Sequence, residues 1–82
     1  MPEVTVLYFA QARDCLGCDR DQLTLPALTD ANAVLSAVRE RHPAHAALID
    51  RCRVAIDCQF IIGPVAISAT SEIALIPPVS GG

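Results

Sequence analysis

Two short runs rich in β-branched and aromatic residues lie at opposite ends of the chain and limit what it can fold into. Residues 4–9 (VTVLYF) are apolar on nearly every position, so we predict a central strand buried on both faces. Residues 22–25 alternate polar and apolar side chains up to Pro26, which predicts a half-buried strand antiparallel to the first. Residues 72–76 (EIALI) form the second of the two runs and predict the last strand.

One segment between these strands has the spacing of an amphipathic helix. Val34, Leu35 and Val38 recur at helical intervals, and residues 29–30 (TD) supply N-cap candidates ahead of them. Pro43 ends the pattern, because proline disfavours the helical conformation of the residue before it. We therefore predict a single main helix.

The order of these segments predicts an α+β domain. Residues 53–57 form a third strand and residues 60–62 a short apolar piece, whereas the polar stretch 11–21 is expected to be a connection. The order is β-β-α-β-(β)-β, so helix and strands do not alternate regularly. This favours one helix packed across a mixed sheet, and 82 residues leave room for only one such core.

Composition excludes several classes of function. The net charge is −3, with six arginines and no lysine, so no basic cluster is available for nucleic acid. Apolar residues make up 52% of the chain, yet no run approaches the ~20 residues of a membrane span. The first residues lack the pattern of a signal peptide, so we expect a cytoplasmic protein.

The four cysteines do not follow the pattern of a metal site. The first two have the C-x-x-C spacing of zinc and redox motifs, but the second two have five residues between them; the four are Cys15, Cys18, Cys52 and Cys58. We expect inert cysteines and no metal. His42 and His45 are expected to be solvated helix-end residues without a catalytic role.

The segment after the last strand carries the chemistry. Two prolines cannot donate to a sheet ladder, so the strand ends and the tail projects by up to roughly 20 Å. The final two residues have no side chain, which lets the backbone enter a narrow channel and leaves the terminal carboxyl unhindered. The pattern favours presentation of a carboxylate inside another protein by the segment Pro77, Pro78, Val79, Ser80, Gly81 and Gly82.

A carboxylate is a poor electrophile at neutral pH, so chemistry at Gly82 needs activation. Adenylation by ATP supplies a leaving group that a sulfur or nitrogen nucleophile can displace. The sequence contains no phosphate-binding loop, so the activating enzyme is expected to be a separate protein. The alternative is a frayed, glycine-ended terminus without function.

Both ends of the chain resemble the small subunit of molybdopterin synthase. The opening residues 6–14 (VLYFAQARD) with Leu16-Gly17, and the closing residues 72–82 (EIALIPPVSGG), carry the resemblance. It implies a ubiquitin-like β-grasp domain over residues 1–76, followed by an extended tail over residues 77–82. Two departures stand out: the chain has Ala69-Thr70-Ser71-Glu72 in place of an acidic turn, and Asp57 in place of a common asparagine.

The resemblance implies a sulfur carrier that is not catalytic alone. An adenylating enzyme similar to the ubiquitin E1 class would use ATP to activate Gly82, and a sulfur donor protein would supply the sulfur of a thiocarboxylate. The tail would enter the large synthase subunit and donate sulfur to cyclic pyranopterin monophosphate, with two small subunits flanking a large-subunit dimer. No permanently bound cofactor is implied.

Other functions remain open on the sequence. A carrier for another pathway, such as thiamine thiazole synthesis, would use the same terminal chemistry with a different partner. A ubiquitin-like protein modifier would instead form an amide bond to a lysine of its target, and a plain interaction module would not use its tail. In each case we expect exposed apolar residues to bind the partner, with Phe9, Phe60 and Leu75 as candidates.

Overall fold

A five-stranded mixed sheet with three helices against one face forms the body of the protein. The computed structural model describes residues 2–78. Its elements in chain order are β1 (Glu3–Tyr8), α1 (Ala10–Leu16), β2 (Arg20–Thr24), β3 (Leu28–Thr29), α2 (Ala31–Arg41), a 3₁₀ turn (Pro43–His45), α3 (Ala46–Arg51), β4 (Arg53–Ile56), β5 (Gln59–Phe60), β6 (Val65–Ala66) and β7 (Glu72–Ile76).

The last strand lies in the middle of the sheet. The strand order is β2-β1-β7-β4-β5, and β3 pairs with β6 in a separate two-stranded sheet. β7 runs parallel to β1 and antiparallel to β4, while β1 and β2 form the predicted antiparallel pair. The predicted α+β class with a mixed sheet is confirmed.

The sheet has one buried face and one that is only partly covered. Along β1, Val4, Val6 and Tyr8 lie in the core, and the intervening residues are exposed or half-buried. β7 alternates in the same way, with Ile73 and Leu75 fully buried. The prediction that the first strand is buried on both faces is therefore wrong, because helices cover only one side of the sheet.

Helix α2 begins and ends where the sequence predicts. Asp30 is its N-cap, and the Asp30 carboxylate accepts a hydrogen bond of 2.9 Å from the Ala33 amide. Val34 and Val38 are fully buried against the sheet. The helix ends at Arg41, before Pro43.

Helix α1 lies within the stretch that was predicted to be a connection. Ala12 is its one buried residue, so the segment has no repeating apolar pattern that sequence analysis could detect. Gly17 follows the helix with φ 77°, a left-handed conformation that ends it with a hydrogen bond back to the Arg13 carbonyl. The two-residue strands β3 and β6 were missed for a similar reason, since they are too short to show alternation.

The two departures from the family pattern both lie next to β7. Asp57 and Cys58 have φ of 50° and 70° and form the two-residue turn between β4 and β5. The Asp57 carboxylate accepts a 3.0 Å hydrogen bond from the Glu72 amide, and the Asp57 amide donates to the Glu72 carbonyl at 2.8 Å. Ahead of β7, the Ser71 amide donates to the Ser68 carbonyl and closes the turn. The Asp57 turn and the turn at residues 68–71 thus fix the start of β7, although residues 69–72 do not form the acidic turn typical of the resembled family.

Candidate functional site

The tail begins at the centre of the sheet. β7 is paired on both sides up to its last residues, where Leu75 pairs with Tyr8 and Ile76 with Arg53. Pro77 is buried and Pro78 is exposed. The first residue after the strand is thus part of the folded body, so the tail starts from a fixed point. The predicted tail residues beyond this point, Val79, Ser80, Gly81 and Gly82, lie outside the described residues.

A phenylalanine lies at the same edge of the sheet as the start of the tail. Because β1 and β7 are parallel, their carboxyl ends are at one edge, and Phe9 directly follows Tyr8 there. The Phe9 side chain is 44% exposed and lines a shallow depression with Leu7 and Arg20. The predicted candidate Phe9 is thus an accessible apolar residue close to the tail.

We call the partly covered face of the sheet the outer face. A row of apolar residues crosses it. Leu7 pairs with Ala74, Ala74 with Ala55, and Ala55 with Phe60, so these four side chains cross four strands in register. Phe60 is 49% exposed, and the Arg53 guanidinium lies 4.0 Å from its ring centroid. Ala55 is buried and Leu7 and Ala74 are half-buried, so Phe60 is the accessible end of the row, with the Arg53 cation beside it.

The structure separates the three predicted interface residues. Phe9 and Phe60 are exposed, whereas Leu75 is fully buried in the core, so the expectation that Leu75 contributes to an exposed apolar surface is wrong. Alternation along 72–76 explains this, because Leu75 shares the core side of β7 with Ile73. Leu7, Ala74 and Ile76 were missed although the same alternation places Ala74 and Ile76 on the outer face.

A polar cluster lies at the opposite side of β1 from the tail. Tyr8 Oη donates a 2.7 Å hydrogen bond to Asp21 Oδ2, and His42 Nε2 lies 2.7 Å from the same oxygen. An Arg41 nitrogen is 3.6 Å from Asp21 Oδ1, and the rings of Tyr8 and His42 meet edge to face at 5.9 Å. The Cys18 thiol completes the cluster. His42 is therefore half-buried and bonded, and the expectation of a solvated residue is wrong.

The cluster shifts the ionisation of its members. Burial opposes ionisation of Asp21, but the hydrogen bonds from Tyr8 and His42 outweigh it and hold the pKa of the carboxyl below its usual range. Burial and the nearby Asp21 charge raise the pKa of both the Tyr8 hydroxyl and the Cys18 thiol. At neutral pH Asp21 is thus an anion that accepts hydrogen bonds from its neighbours.

The other cysteines lie in separate parts of the fold. Cys15 is exposed near the end of α1, Cys58 is exposed in the turn after β4, and Cys52 is buried after α3. Burial raises the pKa of the Cys52 thiol. No helix among residues 2–78 is both long and apolar enough to cross a membrane.

The strand order and the central, carboxyl-terminal β7 define a ubiquitin-like β-grasp protein. The fold is similar to small archaeal modifier protein 1 from Methanosarcina acetivorans (TM-score 0.78, 24% identity, 100% of this chain and 98% of that chain). It is also similar to a chain in a complex of subunits 1 and 2 of the molybdopterin-converting factor from Helicobacter pylori (TM-score 0.67, 18% identity, 98% and 99% covered). The ThiS family model matches residues 6–82, and the chain belongs to the ThiS family.

Curated relatives with this sequence pattern share one description. The chain is 31% identical to the molybdopterin synthase sulfur carrier subunit of Caenorhabditis briggsae over the whole length of both. It is also 31% identical to the protein of the same description from Aedes aegypti, covering 96% of this chain and 88% of that one. The similarity therefore includes the tail as well as the folded body.

Proposed function

We propose that this chain is the sulfur carrier subunit of a molybdopterin synthase and that Gly82 carries the sulfur as a thiocarboxylate. The observation that carries the proposal is the family match, which extends through residue 82 and therefore includes the glycine-ended tail. The relatives that match over nearly their full length are described as carriers of this kind.

The anchoring of the tail supports this function. Pro77 is buried at the end of a strand that is paired on both sides, so the residues that follow it begin from a defined position. Five residues, 78–82, can span at most roughly 17 Å at about 3.3 Å per residue. That distance is enough to deliver the Gly82 carboxyl into the active site of another protein while the folded domain stays outside.

The proposed chemistry takes place on the terminal carboxyl. A separate adenylating enzyme transfers AMP from ATP to the Gly82 carboxylate and releases pyrophosphate. A hydrosulfide ion from the sulfur donor then attacks the acyl carbon and AMP leaves, so that Gly82 ends as a thiocarboxylate. The sulfur then passes to cyclic pyranopterin monophosphate in the large subunit. The chain itself supplies a tail long enough to enter the partner, a fixed position from which that tail begins, and two terminal residues without side chains, Gly81 and Gly82.

The mass of the intact protein tests the proposal directly. The chain is incubated with ATP, a sulfur source and the adenylating enzyme of the same cell, and we expect a mass gain equal to the exchange of one oxygen for sulfur at Gly82. The charged protein is then mixed with the large subunit and pyranopterin, and molybdopterin is measured. Charging without molybdopterin formation would indicate a carrier for another pathway. Conjugates to target lysines without thiocarboxylate would indicate a protein modifier.

Tail length is the first predicted determinant of activity. Removing Gly82, or adding one alanine after it, moves the carboxyl by about 3.3 Å and should abolish sulfur transfer because the reacting atoms no longer align. The variant Gly81→Val should also block transfer, since its side chain would not fit a channel shaped for glycine. The expected control result is an unchanged urea unfolding midpoint for all three. A lengthened tail that transfers sulfur at the normal rate would contradict the proposal.

The outer face is the proposed contact surface for the large subunit. Its row of Leu7, Ala74, Ala55 and Phe60 is apolar, the row crosses the strand that leads into the tail, and Phe60 is 49% exposed. Buried aromatic residues dominate binding energy at protein interfaces. The related Helicobacter pylori chain is described in complex with a second subunit, which supports a partner of this kind.

Replacement of Phe60 tests this surface. Phe60→Ala should weaken binding of the large subunit by about 2 kcal/mol, or roughly thirtyfold, measured by calorimetric titration. Leu28→Ala is the matched control, because Leu28 is 64% exposed and lies in β3 of the separate two-stranded sheet, and it should leave affinity unchanged. Equal effects of the two variants would assign the contact to another surface.

A further inference from the structure

We propose that Cys18, Asp21 and His42 form a binding site for one Zn²⁺ ion. The sulfur, carboxylate and imidazole atoms of these residues all lie within 4.8 Å of one another. They come from three separate places in the chain: the residue after the α1 turn, strand β2 and the C-cap of α2. The site is independent of the tail and of the proposed sulfur chemistry.

The spacing of the three donor atoms is close to what a tetrahedral ion requires. Bonds of 2.0–2.3 Å to zinc place neighbouring ligand atoms about 3.3–3.8 Å apart. His42 Nε2 and Asp21 Oδ2, now 2.7 Å apart, would separate slightly, and a pair as far apart as 4.8 Å would need to approach by about 1 Å at most. Side-chain rotation alone covers such distances, and three protein ligands leave the fourth position for water.

The chemical nature of the donors selects the metal. Thiolate and imidazole ligands favour zinc among the common divalent ions, whereas Mg²⁺ and Ca²⁺ take oxygen ligands. The Cys18 thiolate and Asp21 carboxylate together balance the two charges of the ion. Among residues 2–78, Arg41 is the arginine in contact with the ligand set; it lies 3.6 Å from Asp21 Oδ1, whereas His42 contacts the other oxygen, Oδ2.

The surroundings orient the ligands as outer-shell groups do in metal sites. The Tyr8 hydroxyl donates to Asp21 Oδ2 and fixes the carboxylate, while the Tyr8 ring packs edge to face against His42. The side chains of Asp21 and His42 are 11% and 18% exposed, which leaves a path for an ion to enter. A bound ion would tie the loop after α1 to the end of α2, two segments that are far apart in the sequence.

Titration with Co²⁺ and Zn²⁺ tests the site on the full-length, reduced protein. We expect one Co²⁺ per chain, with a sulfur-to-metal charge-transfer absorption that Zn²⁺ removes by displacement, and a rise in melting temperature with Zn²⁺. Cys18→Ser should lose the absorption. Tyr8→Phe removes an outer-shell partner and should weaken metal binding roughly 10–100-fold. His42→Gln and Asp21→Asn each remove a ligand and should weaken metal binding by more than that.

Cys15→Ser is the matched control because Cys15 is three residues from Cys18 but exposed and outside the cluster. It should bind Co²⁺ as the unchanged protein does. Absence of the charge-transfer absorption, or its persistence in Cys18→Ser, would overturn the proposal. Loss of binding in Cys15→Ser together with normal binding in His42→Gln would also overturn it, since the pair of cysteines would then be the site. Circular dichroism without metal confirms that each variant is folded, and three separate ligand variants make the conclusion independent of any one.

Discussion

Individual residues in this protein differ in reactivity according to their burial. Cys52 is buried, and its thiol contacts the Leu48 carbonyl oxygen at 3.4 Å, whereas Cys15 and Cys58 are exposed. Only the thiolate form of cysteine reacts readily with alkylating reagents. A raised pKa leaves less thiolate at a given pH, so the environment of Cys52 lowers its reactivity in addition to blocking access.

This difference predicts the order of cysteine labelling. In native protein at pH 8, iodoacetamide should modify Cys15 and Cys58 rapidly and leave Cys52 unmodified, as followed by peptide mass spectrometry. In urea all three should react at similar rates, because unfolding removes both the barrier to access and the pKa shift. Rapid labelling of Cys52 in the native protein would contradict this prediction, because it would show that the Cys52 thiol is accessible to solvent in the folded state.

Among the elements, helix α2 depends most clearly on a local sequence signal. Its Asp30 N-cap satisfies the Ala33 amide, which otherwise has no partner within the helix. We expect Asp30→Ala to lower the free energy of unfolding by about 1 kcal/mol, measured by urea denaturation. Asp30→Asn keeps an acceptor at the same position and should retain most of the stability. Equal losses in the two variants would mean that charge, and not the cap hydrogen bond, is responsible.

Elements were predictable where their signals are local and repeated. The N-cap and the spacing of Val34 and Val38 predicted the bounds of α2, and the apolar run at 72–76 predicted those of β7. Helix α1 was not predictable, because a seven-residue helix with one buried side chain has no period. The apolar row of the outer face depends on which residues pair between distant strands. The polar cluster around Asp21 depends on where the end of α2 lies against β2. Neither arrangement can be determined from a single sequence.

At the scale of the whole molecule, the sheet depends on its last strand. β7 pairs with β1 on one side and with β4 on the other, and its Ile73 and Leu75 side chains are fully buried. Without it, the strands of the main sheet divide into two pairs that no longer share a hydrogen-bonded partner, and the core loses two fully buried side chains. The stability of the domain therefore requires residues that are only a few positions from the tail.

Truncation at two points tests this dependence. A chain ending at residue 71 should show no cooperative unfolding transition in urea, because β1 and β4 lose their common partner. A chain ending at residue 78 lacks only residues 79–82 of the tail and should unfold with the same midpoint as the full chain. A cooperative transition in the shorter chain would show that the remaining strands form a sheet on their own.

The central position of β7 also has a consequence for how the protein is made. Synthesis proceeds from the amino terminus, so the strand that fills the middle of the sheet is the last to be available. The strand pairs β1-β2 and β4-β5 cannot be joined into one sheet before β7 is synthesised. We therefore expect a nascent chain interrupted before β7 to stay unfolded and accessible to proteases. Only a chain synthesised through β7 can complete the sheet, so we expect a folded domain to have a nearly complete carboxyl end.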